Sequence, residues 1–281
     1  MSILRFLPRT PMPGTLSNVP ILRSWVRGLQ LPYMKKVKDL DDPKTTIIRS
    51  RIIQENIFLK NLYTDFYNEF KNSIKGLPKR RKLVELGSGG GFIKKIIPDV
   101  ITSDMIKLPN VDLHLSAAYM PFKNESIDRF FVLNVIHHIH DTRLFFKEIN
   151  RCLKKNGKLV AIEPANTIWS QFIYKHFHYE RFDPQGDWVL KSQKALSDAN
   201  GALPWIIFIR DRKKFEMLFP RLKILKIIPH TPLRYLVSGG VSYRQLLPSW
   251  MYQVVKGIEK LAAPLSVYTG MFYSIEVEKR G

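Results

Sequence analysis

The run Leu83-Val84-Glu85-Leu86-Gly87-Ser88-Gly89-Gly90-Gly91-Phe92 sets an apolar strand directly before alternating glycines. Lacking a Cβ, Gly87, Gly89 and Gly91 can take positive φ and let backbone approach a nucleoside-sized ligand. A helix of Ile and Lys is expected next, and its first turn would add unpaired N–H groups. The spacing disfavours two chemistries. A dinucleotide fingerprint, G-x-G-x-x-G, needs glycine at position 92, where Phe92 stands, and no Lys-Ser or Lys-Thr follows at the offset of a triphosphate cradle. A tight strand-to-helix bend with no ligand stays open as the plain reading. About twenty residues on, Asp104 ends a short apolar run. An acid at the carboxyl end of the second strand of a βαβ unit can accept both hydroxyls of a ribose.

His137 and His138 follow the apolar run 130–136, and Glu163-Pro164 ends the run 159–162. Imidazole and carboxylate are the groups that general acid–base catalysis uses. His138 is expected to face a substrate and His137 to serve the fold, against the competing reading that both only bond backbone at a strand end. Glu163 is expected to orient an acceptor or to pair with a basic residue. His176 and His178 have metal-ligand chemistry, but no nearby Cys or second His pair completes a set, so no metal is expected. Arg210-Asp211-Arg212 and the segment 235–243, with Ser238-Gly239-Gly240, are candidates for lining an acceptor pocket.

Four motifs stand in order: E-x-G-x-G-x-G at 85–91, the acid at Asp104, D-L-H-L-S-A-A-Y-M-P-F at 112–122 leading to S-I-D-R-F-F-V-L-N-V-I-H-H at 126–138, and E-I-N-R-C-L-K-K-N-G-K-L-V-A-I-E-P at 148–164. Over about residues 80–165 the chain resembles the class I S-adenosylmethionine-dependent methyltransferases of the "type 11" branch. The resemblance implies S-adenosylmethionine as cofactor, held by Glu85, Gly87, Ser88, Gly89, Gly91, Asp104, Ser116, Ala117 and Asn134; the catalytic candidates, read from the residues themselves, are His138, His137 and Glu163. Two positions depart from the family. Ser116 stands where an Asp usually holds the adenine amino group, and a neutral acceptor makes the weaker hydrogen bond. Asn134 stands where an Asp is frequent. The implied fold is α/β: a Rossmann-like, seven-stranded, mostly parallel sheet of order 3-2-1-4-5-7-6 with helices on both faces.

The elements that must hold these residues can be read from periodicity. Strand and helix alternate from 82 to 164, as a parallel sheet with right-handed crossovers requires. Ahead of it, apolar residues recur at threes to fives over 45–74, which predicts one long amphipathic helix capped by Thr45 or Thr46 and ended at Gly76. Residues 1–44 carry six prolines and predict an irregular arm with a short helix around 21–29. Residues 200–209 read as a strand or buried segment, 211–219 as a helix, 222–228 as a strand and 271–279 as the closing strand. The division is thus an arm and helix over 1–78 and a methyltransferase domain over 79–281, with acceptor-binding insertions at 165–201 and 229–270.

The chain has 281 residues and a formal net charge of +21. Residues 1–82 alone carry 17 Lys and Arg against 6 Asp and Glu, densest at Lys79-Arg80-Arg81-Lys82. Such a charge attracts anionic partners, whether nucleic acid, lipid headgroups or a phosphorylated substrate, and does not choose among them. A single cysteine, Cys152, excludes an intrachain disulfide and fits a reducing compartment. No apolar stretch is long enough to span a bilayer, so a cytoplasmic protein is expected, with peripheral contact at the inner membrane surface left open. Function then reads as methyl transfer to a small-molecule or carrier-linked acceptor, with a sugar hydroxyl in surface-polysaccharide biosynthesis as first choice. The alternative is an RNA-binding methyltransferase, or a basic nucleic-acid or membrane-surface binding protein without catalysis. Against methylation of base amino groups, Asn134-Val135-Ile136-His137 lacks the Asn/Asp-Pro-Pro-Tyr sequence that such enzymes display.

Overall fold

In the computed structural model, which describes residues 28–35, 41–178, 180–191 and 198–281, seven strands form one sheet. These are β1 (Leu83–Leu86), β2 (Ile101–Asp104), β3 (Leu113–His114), β4 (Ile127–Leu133), β5 (Leu153–Pro164), β6 (Leu222–His230) and β7 (Phe272–Lys279). Their order is β3-β2-β1-β4-β5-β7-β6, as the resemblance implied. All neighbours pair in parallel except β7, which runs antiparallel to both β5 and β6. β1 and β4 are buried along their whole length, as central parallel strands covered on both faces must be. The pairs Leu86↔Ser103 and Leu86↔Val132 bring the carboxyl ends of β1, β2 and β4 to one edge. There the strand order reverses between β1 and β4, which opens the crevice where open α/β sheets take ligands.

Helices cover both faces. Phe58, Leu62, Phe66 and Phe70 of α2 (Ile57–Ser73) are buried, and the Phe70 ring stacks on Phe131 of β4 at 5.0 Å. Phe145, Phe146 and Ile149 of α3 (Thr142–Cys152) are also buried, with Phe146 meeting Phe208, Phe215 and Phe219 edge-on or tilted. The first insertion carries α4 (Ile168–Phe177), fixed at its start by reciprocal bonds between Thr167 and Ser170. After α5 (Arg212–Leu218) and β6, the second insertion carries α6 (Arg234–Ser238) and α7 (Tyr252–Leu261).

The long helix expected over 45–74 is two helices. α1 (Pro43–Glu55) ends at Asn56, whose side chain accepts the Leu59 N–H at 2.9 Å and starts α2. Asp42, not Thr45 or Thr46, caps α1, while Gly76 takes φ 82° beyond α2 as a left-handed terminator does. Asn56 also donates from Nδ2 to the Ser238 carbonyl, tying the helix junction to the second insertion. Asn56→Ala therefore lowers unfolding free energy by about 1 kcal/mol for the cap alone. Urea denaturation checks this, and an unshifted midpoint would contradict it.

Two further expectations are corrected. The glycine turn leads into a single 3-10 turn, Ile93–Lys95, rather than a helix, because Pro98 follows after only six residues and restricts Ile97 before it. Of the two readings of 200–209, the buried segment holds and the strand does not: residues 203–210 are helical, since Pro204 suits a first helical turn and the Asn200 side chain accepts the Ala202 N–H. The short helix expected around 21–29 lies outside the described residues apart from its last two. Pro8, Pro11, Pro13, Pro20 and Tyr179 lie outside them as well.

Candidate active site

At the carboxyl edge of the sheet lies a cavity of about 520 Å³, with the glycine turn at one end and a cluster of imidazoles, phenols and one carboxylate at the other.

Gly87 and Gly89 take φ of 67° and 47°, where a side chain would strain the backbone. Gly91 does not; it is needed because an added Cβ would overlap the Tyr67 hydroxyl of α2. Gly90, absent from the expected set, has the same kind of role, since a Cβ there would lie 2.8 Å from the Ser50 backbone. α1 thus rests on the turn and forms one wall of the cavity. The turn is pinned to β2 three times: Gly89 N–H donates to Asp104 Oδ2 at 2.8 Å, Ser88 N–H to the Ser103 carbonyl at 2.9 Å, and Ser103 N–H to Ser88 Oγ at 3.2 Å. Asp104 Oδ1 accepts the Ile106 N–H, so the carboxylate is held rigid with lone pairs to spare toward the cavity it lines. Burial pushes its pKa up despite those bonds.

Glu85 is fully buried, lines the cavity, and its Oε2 has no partner. Burial drives its pKa up to about 7 against the hydrogen bond from Ser88, with the nearby Asp104 charge adding to the rise. Because the folded value lies above the unfolded 4.5, the stability tied to neutral Glu85 is intact below pH 4.5 and is lost as pH rises through about 7. Relative to Glu85→Gln, the wild-type protein should therefore lose on the order of 3 kcal/mol between pH 4 and pH 8. Urea unfolding of both at the two pH values measures the difference, and parallel behaviour would contradict it.

Ser116, Ala117 and Asn134 also line this end. Ser116 Oγ accepts the Ala118 N–H at a long 3.3 Å, and Asn134 takes φ 57°, a conformation that Asn tolerates. The residues fit S-adenosylmethionine: the glycines leave room beside the backbone, the free lone pairs of Asp104 are of the kind that ribose hydroxyls can use, and the orphan Glu85 oxygen can take an ammonium group.

At the far end His137 is 2% exposed, with Nδ1 2.7 Å from Glu163 Oε2 and Nε2 3.4 Å from Glu180 Oε2. Burial alone would depress His137, but its bonds to Glu163 and Glu180 outweigh that and hold it at about 9. Burial and the charge on His137 push His138 down to about 3, leaving a neutral ring. Burial would raise Glu180, yet the surrounding histidines hold it well below the usual carboxylate range. Glu163 stands behind this wall. Its Oε1 accepts the N–H groups of Val135 and Ile136, its Oε2 faces His137, and it is completely buried. Of the two roles expected for it, the geometry places it against a basic residue and not against the cavity.

Tyr174, His178 and Glu180 from the first insertion, Tyr235 and Val241 from the second, and Arg49 from α1 complete the wall. Arg210 is elsewhere, bonding Asp211 and the carbonyls of Pro184 and Gly186. His176 turns back to the Phe172 carbonyl of its own helix and so does not converge with His178. Glu180 was missed by the sequence reading. Its signal is a lone acid two residues after His178 in an otherwise basic and aromatic stretch.

The sequence family described as a methyltransferase domain matches residues 84–161. No curated protein sequence matches the chain. Among solved structures, an S-adenosylmethionine-dependent methyltransferase from Thermotoga maritima is similar at 15% identity and TM-score 0.50, over 83% of this chain and 99% of its own. Geranyl diphosphate C-methyltransferase from Streptomyces coelicolor A3(2) is similar at 16% identity and TM-score 0.44, over 79% and 77%. Phosphoethanolamine N-methyltransferase 2 from Haemonchus contortus is similar at 12% identity and TM-score 0.45, over 86% and 59%.

Proposed function

From the premise that residues 84–161 are a class I S-adenosylmethionine-dependent methyltransferase domain, we propose that the chain methylates a hydroxyl of a small or carrier-linked acceptor, a sugar of surface-polysaccharide biosynthesis. Methyl transfer from S-adenosylmethionine is the activity of this enzyme. The acceptor assignment rests on one observation: a single cavity joins the glycine turn to a wall of His138, Glu180, Tyr174 and Tyr235. Three of those four residues lie in the two insertions, where acceptor specificity is usually carried.

The cofactor supplies an activated methyl group, so the chain's own task is to align a nucleophile and exclude water. Glu85, the turn and Asp104 would hold the methionine and ribose parts, with Ser116, Ala117 and Asn134 around the rest. His138 would meet the acceptor hydroxyl. Its ring stays neutral at physiological pH, so a lone pair is available for the hydroxyl hydrogen. A weak base suffices there, because an alcohol oxygen becomes far more acidic as its new bond to carbon forms. His137 is the positioning residue, held by Glu163 on one side and holding Glu180 on the other. Aromatic rings at Tyr174 and Tyr235 suit the apolar face of a sugar ring. Incubating the protein and methyl-labelled cofactor with fractionated cell extract tests the assignment. Label in a glycan or lipid-linked sugar fraction is expected; label only in RNA or protein would overturn it.

A carrier-linked acceptor would place the enzyme at a bilayer. No helix among the described residues is long and apolar enough to cross one. A surface contact is favoured by the segment 246–268, where Trp250 is 74% and Leu261 86% exposed beside Leu265, Val267 and Tyr268. Together with the net charge of +21, this predicts flotation with anionic vesicles and not with neutral ones. Trp250→Ser with Leu261→Ser should abolish it; unchanged flotation would contradict the contact.

A further inference from the structure

The buried cluster at the acceptor end has a geometry that hydrogen bonding explains poorly. Glu180 Oε2 is 3.4 Å from His137 Nε2, and Glu180 Oε1 is 3.7 Å from His138 Nε2. Both distances exceed the 2.7–3.2 Å usual for an N–H···O bond. They approach the separation of about 3.3 Å between two ligand atoms that share a tetrahedral ion at about 2.0–2.1 Å. One atom from each of the three residues lies within 4.8 Å of the others. His138 Nδ1 is buried with no partner, so this ring is not committed to the protein's own hydrogen bonds.

A second observation concerns His137. Its Nδ1 is 2.7 Å from Glu163, whose other oxygen is fixed by two backbone N–H groups. A metal-binding imidazole almost always gives its remaining ring N–H to a carboxylate or carbonyl, which sets the tautomer and aims the free nitrogen. Glu163 does this here, and the aimed nitrogen is the one facing Glu180. His178 stays outside the set, because its Nδ1 accepts the Glu180 backbone N–H at 3.3 Å.

We propose that His137 Nε2, His138 and Glu180 form a binding site for a divalent cation of the zinc class, with a fourth position open to the cavity. Two imidazoles and one carboxylate are a ligand set that zinc takes when it keeps an open position. These are not the residues whose spacing in the sequence suggested and then argued against a metal, His176 and His178. The role of the open position rests on the acceptor assignment above: an acceptor oxygen would meet the cation there in place of the His138 lone pair. The site itself does not depend on that assignment.

The test is therefore binding, measured without cofactor or acceptor. Untagged full-length protein, stripped with chelator, is titrated with Zn²⁺ alone and then loaded with Co²⁺ for visible absorption. One tight equivalent of Zn²⁺ and an intense four-coordinate Co²⁺ spectrum are expected. Glu180→Gln and His138→Phe should each weaken Zn²⁺ binding at least about a hundredfold, and Glu163→Gln about 10- to 100-fold by releasing His137. Absence of a tight equivalent in wild-type protein would overturn the proposal, as would binding that all three variants retain. Because the cluster is buried, circular dichroism is recorded for each variant. Should a variant not fold, the wild-type Co²⁺ spectrum decides alone, and a six-coordinate spectrum of weak intensity counts against the site. Failure of methyl transfer to a sugar fraction would leave these outcomes unchanged.

Discussion

Asp104→Ala is expected to lower the affinity for S-adenosylmethionine about a hundredfold or more while the protein remains folded. Two ribose hydroxyls donating to a carboxylate contribute on the order of 1.5 kcal/mol each, and about 3 kcal/mol corresponds to that factor. The same change removes the acceptor of the Gly89 N–H, so the turn loses one of its ties to β2 while those through Ser88 and Ser103 remain. Asp104→Asn keeps an oxygen for Gly89 and should fall between the two. Gly89→Val acts on the other partner. An added Cβ there meets nothing in the protein closer than 3.8 Å, so the packing tolerates it, yet it stands at φ 47° and enters the space beside the turn. It should bind the cofactor as poorly as Asp104→Ala. Calorimetry on folded samples measures both, and a dissociation constant within threefold of wild type in either would break the assignment of this end.

In metal-free protein, His138→Phe is expected to reduce kcat by about 10²- to 10⁴-fold, the range for a positioned acid–base group, and to leave cofactor affinity unchanged. The phenyl ring fills similar space without a lone pair, so the two readouts separate chemistry from binding. The pH profile carries a sign. His138 charges only near pH 3, so it produces no loss of rate between pH 5 and 8. His137 loses its proton as pH rises through about 9. At saturating S-adenosylmethionine, where the ionisation of Glu85 no longer limits binding, the rate should therefore be flat over pH 5–8 and fall above about 9, as the contact between His137 and Glu180 is given up. Stopped-time assays with the acceptor fraction check this. A rate that rises through pH 6–7 would show a base of ordinary imidazole pKa and exclude this environment for His138.

What the sequence disclosed and what it did not follow one physical division. β1, the glycine turn and Asp104 were legible because their cause is local: an apolar run, a residue without Cβ, an acid at a strand end; the order of the sheet came from the family resemblance that those motifs carry. The break at Asn56 was missed because the apolar period runs on through it, although an Asn before Ile57, Phe58 and Leu59 can cap a helix as well as sit inside one. The helix after the turn was overread because Ile93, Lys94 and Lys95 suit a helix, while Pro98 leaves room for a single turn. Gly90 and Gly91 are explained only by Ser50 and Tyr67, which arrive from helices forty and twenty-four residues earlier in the chain. Glu180 joins His137 and His138 across more than forty residues, and no period or spacing announces such a contact. Long-range convergence of this kind builds the far end of the cavity, so the sequence spoke clearly about the glycine-turn end and faintly about the other.

The central claim is that the turn at Gly87–Gly91 and the carboxylate of Asp104 hold S-adenosylmethionine. Isothermal titration of the purified chain with S-adenosylmethionine, and with the demethylated product, S-adenosylhomocysteine, tests it most directly. Binding of one equivalent of each, lost in Asp104→Ala, is the predicted result. No heat from a folded sample at millimolar ligand would contradict it.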